Sequence, residues 1–437
     1  MEILLKIGTL VLSAYSVLVL YRVVFDIVGF VRGPKVFPEA RVRHTYGVII
    51  AARNEERVIG NLIRSIRRQD YDPEKLRIFV VADNCTDRTA EICRELGAVV
   101  YERHDEARMR KGYALEFLFR QIQRDYGVSS LDAYLFFDAD NLLARNFVTE
   151  INKAFDACGE IAVGYRNTKN FDTNFISAGY GFHFYNSTMT MHRPRSLFGQ
   201  STHIAGTGYA VSSALLSGGW HYTCLTEDTQ FCLTAVAQGR KIEFCEAAEF
   251  FDEQPHTVRV MVRQRLRWAK GRLACFFLLF PRLIRGIFRC KERKFSCYDM
   301  FFYILPKALL SALASVLYTA VSFLAALWTS GVSGGAAPGG VRQALSGLFL
   351  ALGVSWLRLF LLGALIAVRE RRHIRCKTGR LVLYTLLWPY FDLIGLPISI
   401  ASLFMRVKWK PIRHDQGIAI EEIEGAEGRE RPPRPWG

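Results

Sequence analysis

Residues 134–140 read Tyr-Leu-Phe-Phe-Asp-Ala-Asp, four apolar or aromatic residues running straight into two carboxylates one residue apart. A short apolar run after a polar loop has the pattern of a strand buried on both faces, as in a parallel sheet. In open α/β sheets ligands gather at the carboxyl ends of the strands, where Asp138 and Asp140 would project. Two hard oxygen donors at that edge suit a Mg²⁺ or Mn²⁺ that also grips a diphosphate. Aspartate also favours turns, so a plain acidic exit from the strand has the same local signature, and the flanking chain decides.

Upstream, strand and helix alternate from Gly47. Residues 47–52 are apolar and β-branched, Asn54 is placed to cap the next helix, and Glu55 and Glu56 fall in its first turn. Residues 77–82 form a second strand that runs into Asp83-Asn84-Cys85-Thr86-Asp87; 89–96 read as helix, 98–101 as strand and 113–123 as helix. This alternation predicts a mostly parallel sheet with helices on both faces. Its strand ends bring Asn54 with Glu55, Asp83 with Asp87, and Asp138 with Asp140 to one rim, and three such pairs in succession mark a site. Lys111, just before a helix, supplies a positive partner for phosphate, although a surface lysine would look the same.

The chain has 437 residues, enough for two or three units, and its hydrophobic half is unevenly spread. Apolar residues gather at 3–31 and again from about 298 to 405, the signature of an integral membrane protein carrying one soluble domain. The net charge of +16 is concentrated beside those spans, at 263–272, 282–294, 369–380 and 406–413. Basic clusters so placed mark a cytoplasmic side and anionic headgroups, and no nucleic-acid-binding motif accompanies them. The ten cysteines contain no C-x-x-C pair and no Cys/His ligand spacing, so free thiols are expected.

The motifs V-I-I-A-A-R-N-E-E (48–56), V-V-A-D-N-C-T-D-R-T (80–89), K-G-Y-A-L (111–115) and F-F-D-A-D (136–140) resemble the GT-A nucleotide-sugar domain of family 2 glycosyltransferases. Thr226-Glu227-Asp228 resembles that family's T-E-D motif. Gln264-Arg265-Leu266-Arg267-Trp268 resembles the Q-x-x-R-W signature of its membrane-embedded, often processive branch, which includes cellulose, chitin, hyaluronan and poly-N-acetylglucosamine synthases. The likeness covers about residues 45–275; Arg53 departs from it, standing where the family has a small or apolar residue.

The resemblance implies a GT-A, Rossmann-like α/β domain inserted between transmembrane helices. Its expected parts are an N-terminal membrane helix (1–32), a cytoplasmic catalytic domain (45–272), an interfacial helix (273–297), a C-terminal membrane region (298–405) and a basic, then disordered tail (406–437). It implies an integral protein of a bacterial plasma membrane that transfers a sugar from a UDP-sugar, with Mg²⁺ or Mn²⁺, to a growing β-linked polysaccharide. The alternative is a single transfer to a membrane lipid. By position, Ala51, Glu55 and Asp83 would contact the uridine, Lys111 and Asp138 the rest of the nucleotide, and Asp140 the metal. Glu227, Gln264, Arg267 and Trp268 would serve the diphosphate and acceptor, with Asp228 as general base. Taken alone, T-E-D reads as a helix N-terminus and Q-R-L-R-W as a basic amphipathic helix at a membrane surface.

Between these motifs, residues 171–185 and Gly206-Thr207-Gly208-Tyr209 are either acceptor-facing or ordinary core and turn, and His256 reads as structural. Membrane spans are expected at 301–328 and 344–368 around a glycine-rich outer loop at 331–340. A last apolar stretch at 381–404 contains Pro389 and Pro397. Arg358 and Asp392 lie within these spans and would line a polysaccharide path or pair with each other.

Overall fold

A computed structural model describes residues 10, 13–306, 338–407, 411–412, 414 and 416–427. Eight strands build one sheet: β1 (Tyr46–Ala52), β2 (Leu76–Asp83), β3 (Val99–Arg103), β4 (Ala133–Asp138), β5 (Leu142–Leu143), β6 (Ile161–Thr168), β7 (Tyr209–Ser212) and β8 (Ile242–Asp252). Their spatial order is β3-β2-β1-β4-β7-β6-β8-β5. The first four are parallel, as the alternation predicts. Beyond β4 the sheet turns mixed: β7 runs antiparallel to both β4 and β6, β6 and β8 are parallel, and β5 closes the edge antiparallel to β8.

The quoted run is the middle of this sheet. Alternation along β4 sends Tyr134 and Phe136 into one apolar core and Leu135 and Phe137 into the other, all of them buried. Phe136 stacks flat on Tyr209 of the neighbouring strand, with centroids 4.7 Å apart. Helix α1 (Tyr21–Val31) precedes the sheet; α2 (Ile59–Arg67), α3 (Thr89–Glu95) and α4 (Lys111–Asp125) are the crossovers that make parallel pairing possible. α4 buries Leu115, Leu118, Phe119 and Ile122 against the Phe136 face. α2, α3 and α5 (Phe147–Cys158) cover the other.

Apart from short turns of helix at Arg193–Leu197 and Ser213–Leu216, the remaining described helices are α6 (Phe175–Ser187), α7 (Glu227–Ala237), α8 (Val258–Arg289), α9 (Lys294–Ile304), α10 (Pro338–Arg369), α11 (Thr378–Leu393), α12 (Gly395–Phe404) and α13 (Ile420–Glu427). The stretch expected as a separate interfacial helix from residue 273 is the second half of α8, which runs unbroken through Pro281. Two stretches, Phe349–Arg369 and Thr378–Phe404, are long and apolar enough to cross a membrane. The second breaks at Ile394, between α11 and α12, and not at either proline. Pro397 sits in the first turn of α12, where a missing N–H costs little. Residues 307–328 of the expected earlier span, 331–337 of the outer loop and the ends 1–9 and 428–437 lie outside the described residues.

Two local expectations change. Asn54 does not cap α2: it has φ +57°, its side chain pairs with Thr86 across the rim, and the helix starts at Ile59. Residues 416–427, polar enough to read as disordered, are instead seated on the sheet edge, with Ile420 and Ile423 packed on Leu142 and Phe251.

Gly208 joins the two halves of the sheet. Its N–H donates to Phe136 O and its carbonyl accepts from Gly164 N–H, both at 2.8 Å. Its φ is +70°, and an added Cβ would lie 2.0 Å from Phe250 Cε1. Gly208→Ala is therefore expected to destabilise the domain by about 2–4 kcal/mol, read as a lower denaturation midpoint of the purified protein.

Candidate active site

The parallel register fixes the rim. Ala51 of β1 lies opposite Val81 and Asp138, so the ends of β1, β2 and β4 fall level. Together with the starts of α4 and α7 and one face of α8, they enclose a cavity of about 300 Å³. Ala51, Asp83, Lys111, Asp138, Asp140, Glu227, Asp228, Gln264, Arg267 and Trp268 all line it. Of the residues expected at the site, Glu55 alone is not on this wall, and it reaches the cavity through His414, which is.

On the strand side, Asp83 is buried and held by Arg103 and by Asn84 Nδ2 at 3.1 Å. Burial raises its pKa, although Arg103 opposes this. Asp138 is the last residue of β4, and its N–H donates to Thr207 Oγ1 at 2.9 Å. Asp140 lies one turn further on, 3% exposed, with Oδ2 accepting from Glu253 N–H at 3.0 Å. Its Oδ1 has a long 3.4 Å contact from Asn141, and the carboxylate lies close enough to that of Asp252 to raise the latter's pKa.

Lys111 opens α4 and is brought in by Gly112, where a Cβ would strike Tyr222 O at 2.2 Å. Its Nζ donates to Asp138 and to Gly206 O. Burial pulls its pKa down, but Asp138 and Glu227 outweigh this and leave it raised, so it stays charged.

On the opposite wall, Thr226 holds the N-cap position of α7 without capping: its hydroxyl meets Cys275 Sγ, and Glu227 and Asp228 fill the first turn. Burial and then the neighbouring Asp228 push the Glu227 carboxyl up to about 7. Asp228 is raised chiefly by burial, with Lys111 and Arg267 opposing. Gly206 approaches closely: a Cβ there would be 3.8 Å from Asp228 Oδ2. α8 presses on this corner through Gly271, whose Cβ would meet Thr226 at 2.6 Å. Arg267 donates to Leu225 O at 3.1 Å, and the buried Gln264 Oε1 has no partner among the described residues. Trp268 stands edge-on to Tyr180 and Phe184.

Other residues of the same helix face elsewhere. Arg265 donates to Phe391 O and Lys270 to Ser402 O, satisfying carbonyls at the ends of α11 and α12. Neither Arg358 nor Asp392 lines the cavity. His256 accepts Asn174 Nδ2 on its backbone carbonyl, a structural role.

Sequence reasoning missed three groups. Asp252 ends β8 within the cavity and is paired with Arg166; the run Phe250-Phe251-Asp252 repeats Phe136-Phe137-Asp138 and could have flagged it. His203 comes from a loop with no recognisable pattern. His414 comes from the tail: its Nδ1 lies 3.0 Å from Glu55 Oε1 and its Nε2 4.0 Å from Asp140 Oδ2. Burial lowers the His414 pKa, but these carboxylates win and carry it to about 10.

A mixed sheet whose parallel half carries carboxylates at its rim, faced by an adjacent acid pair and a Gln/Arg/Trp helix, is the architecture of a GT-A glycosyltransferase. A solved mannosyltransferase from Pyrobaculum calidifontis, PcManGT in complex with GDP-Man and Mn²⁺, has the same fold: TM-score 0.54 at 17% identity, covering 91% of this chain and 98% of that one. The chain belongs to the glycosyltransferase-like family 2, whose model matches residues 44–271. It is 29% identical over 269 residues to the probable glycosyltransferase YdaM of Bacillus subtilis (strain 168), covering 59% of this chain and 60% of that one. It is 27% identical over 233 residues to a β-monoglucosyldiacylglycerol synthase of Synechocystis sp., covering 51% and 47%. The chain thus spans about half to three fifths of the length of these relatives.

The tail's hold on the site is testable. Ile423→Asp places a carboxylate where the side chain is 4% exposed against Leu142 and Phe251. It is expected to release residues 416–427 and speed tryptic cleavage within 406–413 severalfold, with the domain's denaturation midpoint little changed.

Proposed function

We propose that the protein transfers a sugar from a UDP-sugar, with inversion at the anomeric carbon, to a hydroxyl acceptor presented at a membrane face. The observation that carries this reading is the meeting of Lys111, Asp140, Asp228, Gln264, Arg267 and Trp268 in one cavity. Single displacement needs one base near the acceptor hydroxyl. Asp228 fits: half-buried in the cavity wall and raised above an ordinary aspartate by loss of hydration, it is better matched to taking a proton near neutral pH. As the bond to the sugar breaks, negative charge grows on the diphosphate. Lys111 and Arg267 meet it with fixed positive charge, and Gln264 lines the same cavity. Trp268 gives a flat apolar surface for a sugar ring.

A divalent cation fits the donor set, because the Asp140 carboxylate lies at the cavity wall close to that of Asp252. Among the described residues no three His, Cys, Asp or Glu side chains are grouped to hold a metal by themselves, so diphosphate oxygens would complete the shell. When bound, the cation neutralises charge on the leaving diphosphate.

For the acceptor, single transfer to a membrane lipid is favoured. Three relatives of 25–27% identity are β-monoglucosyldiacylglycerol synthases. Polysaccharide extension is the second reading, supported by 24% identity over 273 residues to a poly-β-1,6-N-acetyl-D-glucosamine synthase of Staphylococcus aureus (strain COL). α10 and the α11–α12 pair would anchor the domain to the bilayer.

Membranes containing the protein, given a panel of labelled UDP-sugars with and without Mn²⁺, should yield one glycolipid spot; a ladder of oligomers selects the second reading, and no labelled product from any donor rejects both. Asp228→Asn should lower turnover at least about a thousandfold while UDP affinity holds. Because burial raises Asp228, kcat/KM should fall with falling pH along a limb whose midpoint lies above 3.8, and a flat profile down to that pH would remove Asp228 as the base.

A further inference from the structure

One end of the cavity contains polar groups that the donor chemistry does not use. His203 is 6% exposed and lines the wall, its ring held between His192 and Tyr303 at centroid distances of 4.2 and 4.8 Å. Its Nε2 faces the Ser187 hydroxyl at 3.5 Å, whereas its Nδ1 is buried with no hydrogen-bond partner among the described residues. Leaving such an atom unpaired costs about 1–3 kcal/mol, and an orphan of this kind on a cavity wall points to a ligand. Ser187, His183 and Tyr303 line the same end. Tyr303 also lies within electrostatic reach of Asp228, which puts this end beside the proposed base.

The side chains nearest His203 on this wall are uncharged. Burial, reinforced by nearby arginines, lowers the His183 pKa to about 3, and burial likewise takes His203 well below its ordinary value. Of the two arginines acting on His203, Arg195 is committed to Asp299, while Arg272 lines the cavity and lies over the Tyr303 ring, 5.4 Å from its centroid. An uncharged imidazole, a serine hydroxyl and a phenol match the hydroxyls of a polyol.

We infer that His203, with Ser187 and Tyr303, forms an acceptor subsite for a neutral, hydroxyl-bearing group, one of whose hydroxyls donates to His203 Nδ1. A glycerol head or a sugar ring would supply that chemistry. The inference rests on the reading of Asp228 as the base, and it adds what the acceptor must present there.

The test is a binding measurement on the full chain in nanodiscs, with UDP and Mn²⁺ present, by saturation-transfer NMR. The probes are 1-octanoylglycerol, cellobiose and octyl phosphate. At least one neutral probe should bind and octyl phosphate should not displace it; which neutral probe binds separates a lipid head from a sugar. His203→Phe should weaken that binding about tenfold, the loss of roughly one hydrogen bond, with UDP affinity unchanged. His203→Gln, which restores an acceptor atom, should recover part of it. Ser187→Ala takes the same comparison if His203→Phe does not fold. Preferential binding of octyl phosphate, binding of no probe, wild-type affinity in the variants, or equal loss of UDP affinity would overturn the inference. Because the readout is binding, a failure of sugar transfer would reject the glycosyltransfer reading and leave this result standing.

Discussion

Acidic groups crowded away from water are what the rest of this structure has to accommodate. Asp138, Asp140, Glu227, Asp228, Asp252 and Glu253 line one cavity. Carboxylates so placed repel one another and lose hydration, so each needs a cation, a donated hydrogen bond or a proton. Lys111 answers Asp138, Arg166 answers Asp252, and Lys169 answers Glu253. Asp140 takes a backbone N–H, and Glu227 is left near the point of protonation. A site balanced in this way can receive a cation and release a proton without rebuilding itself.

The same balance explains why elements far apart in the chain must meet. Lys111 comes from the start of α4, Arg166 from β6 and Arg267 from the middle of α8, each carried in by a rigid element. α8 does a second job. Gln264, Arg267 and Trp268 face the cavity, while Arg265 and Lys270 satisfy carbonyls of α11 and α12. The chemistry is thereby tied to the two stretches apolar enough to cross a bilayer, through hydrogen bonds that would cost several kcal/mol to leave unmade in an apolar setting.

Much of this was legible beforehand because it is written locally. The alternation of apolar strands with amphipathic helices between residues 46 and 138 admits little besides parallel pairing, and the strand-end acids then had to share a rim. Asn54 misled because a cap residue and a rim residue have the same composition; its pairing with Thr86, on the next strand's loop, took it away from the helix. The tail misled because its few apolar residues, Ile420 and Ile423 among them, stand in a polar context, and their partners, Leu142 and Phe251, lie far away in sequence.

The sequence by itself determined that a parallel α/β half exists and which carboxylates stand at its ligand edge, since burial on two faces and strand-helix alternation leave a local periodic record. Only the tertiary structure decided that β7 enters antiparallel, that Asp252 joins the first acids, and that His203 and His414 reach the same cavity from a loop and a tail. Those outcomes depend on which surfaces pack across the sheet, a choice made between residues far apart in the chain, and no short stretch of chain carries a trace of it.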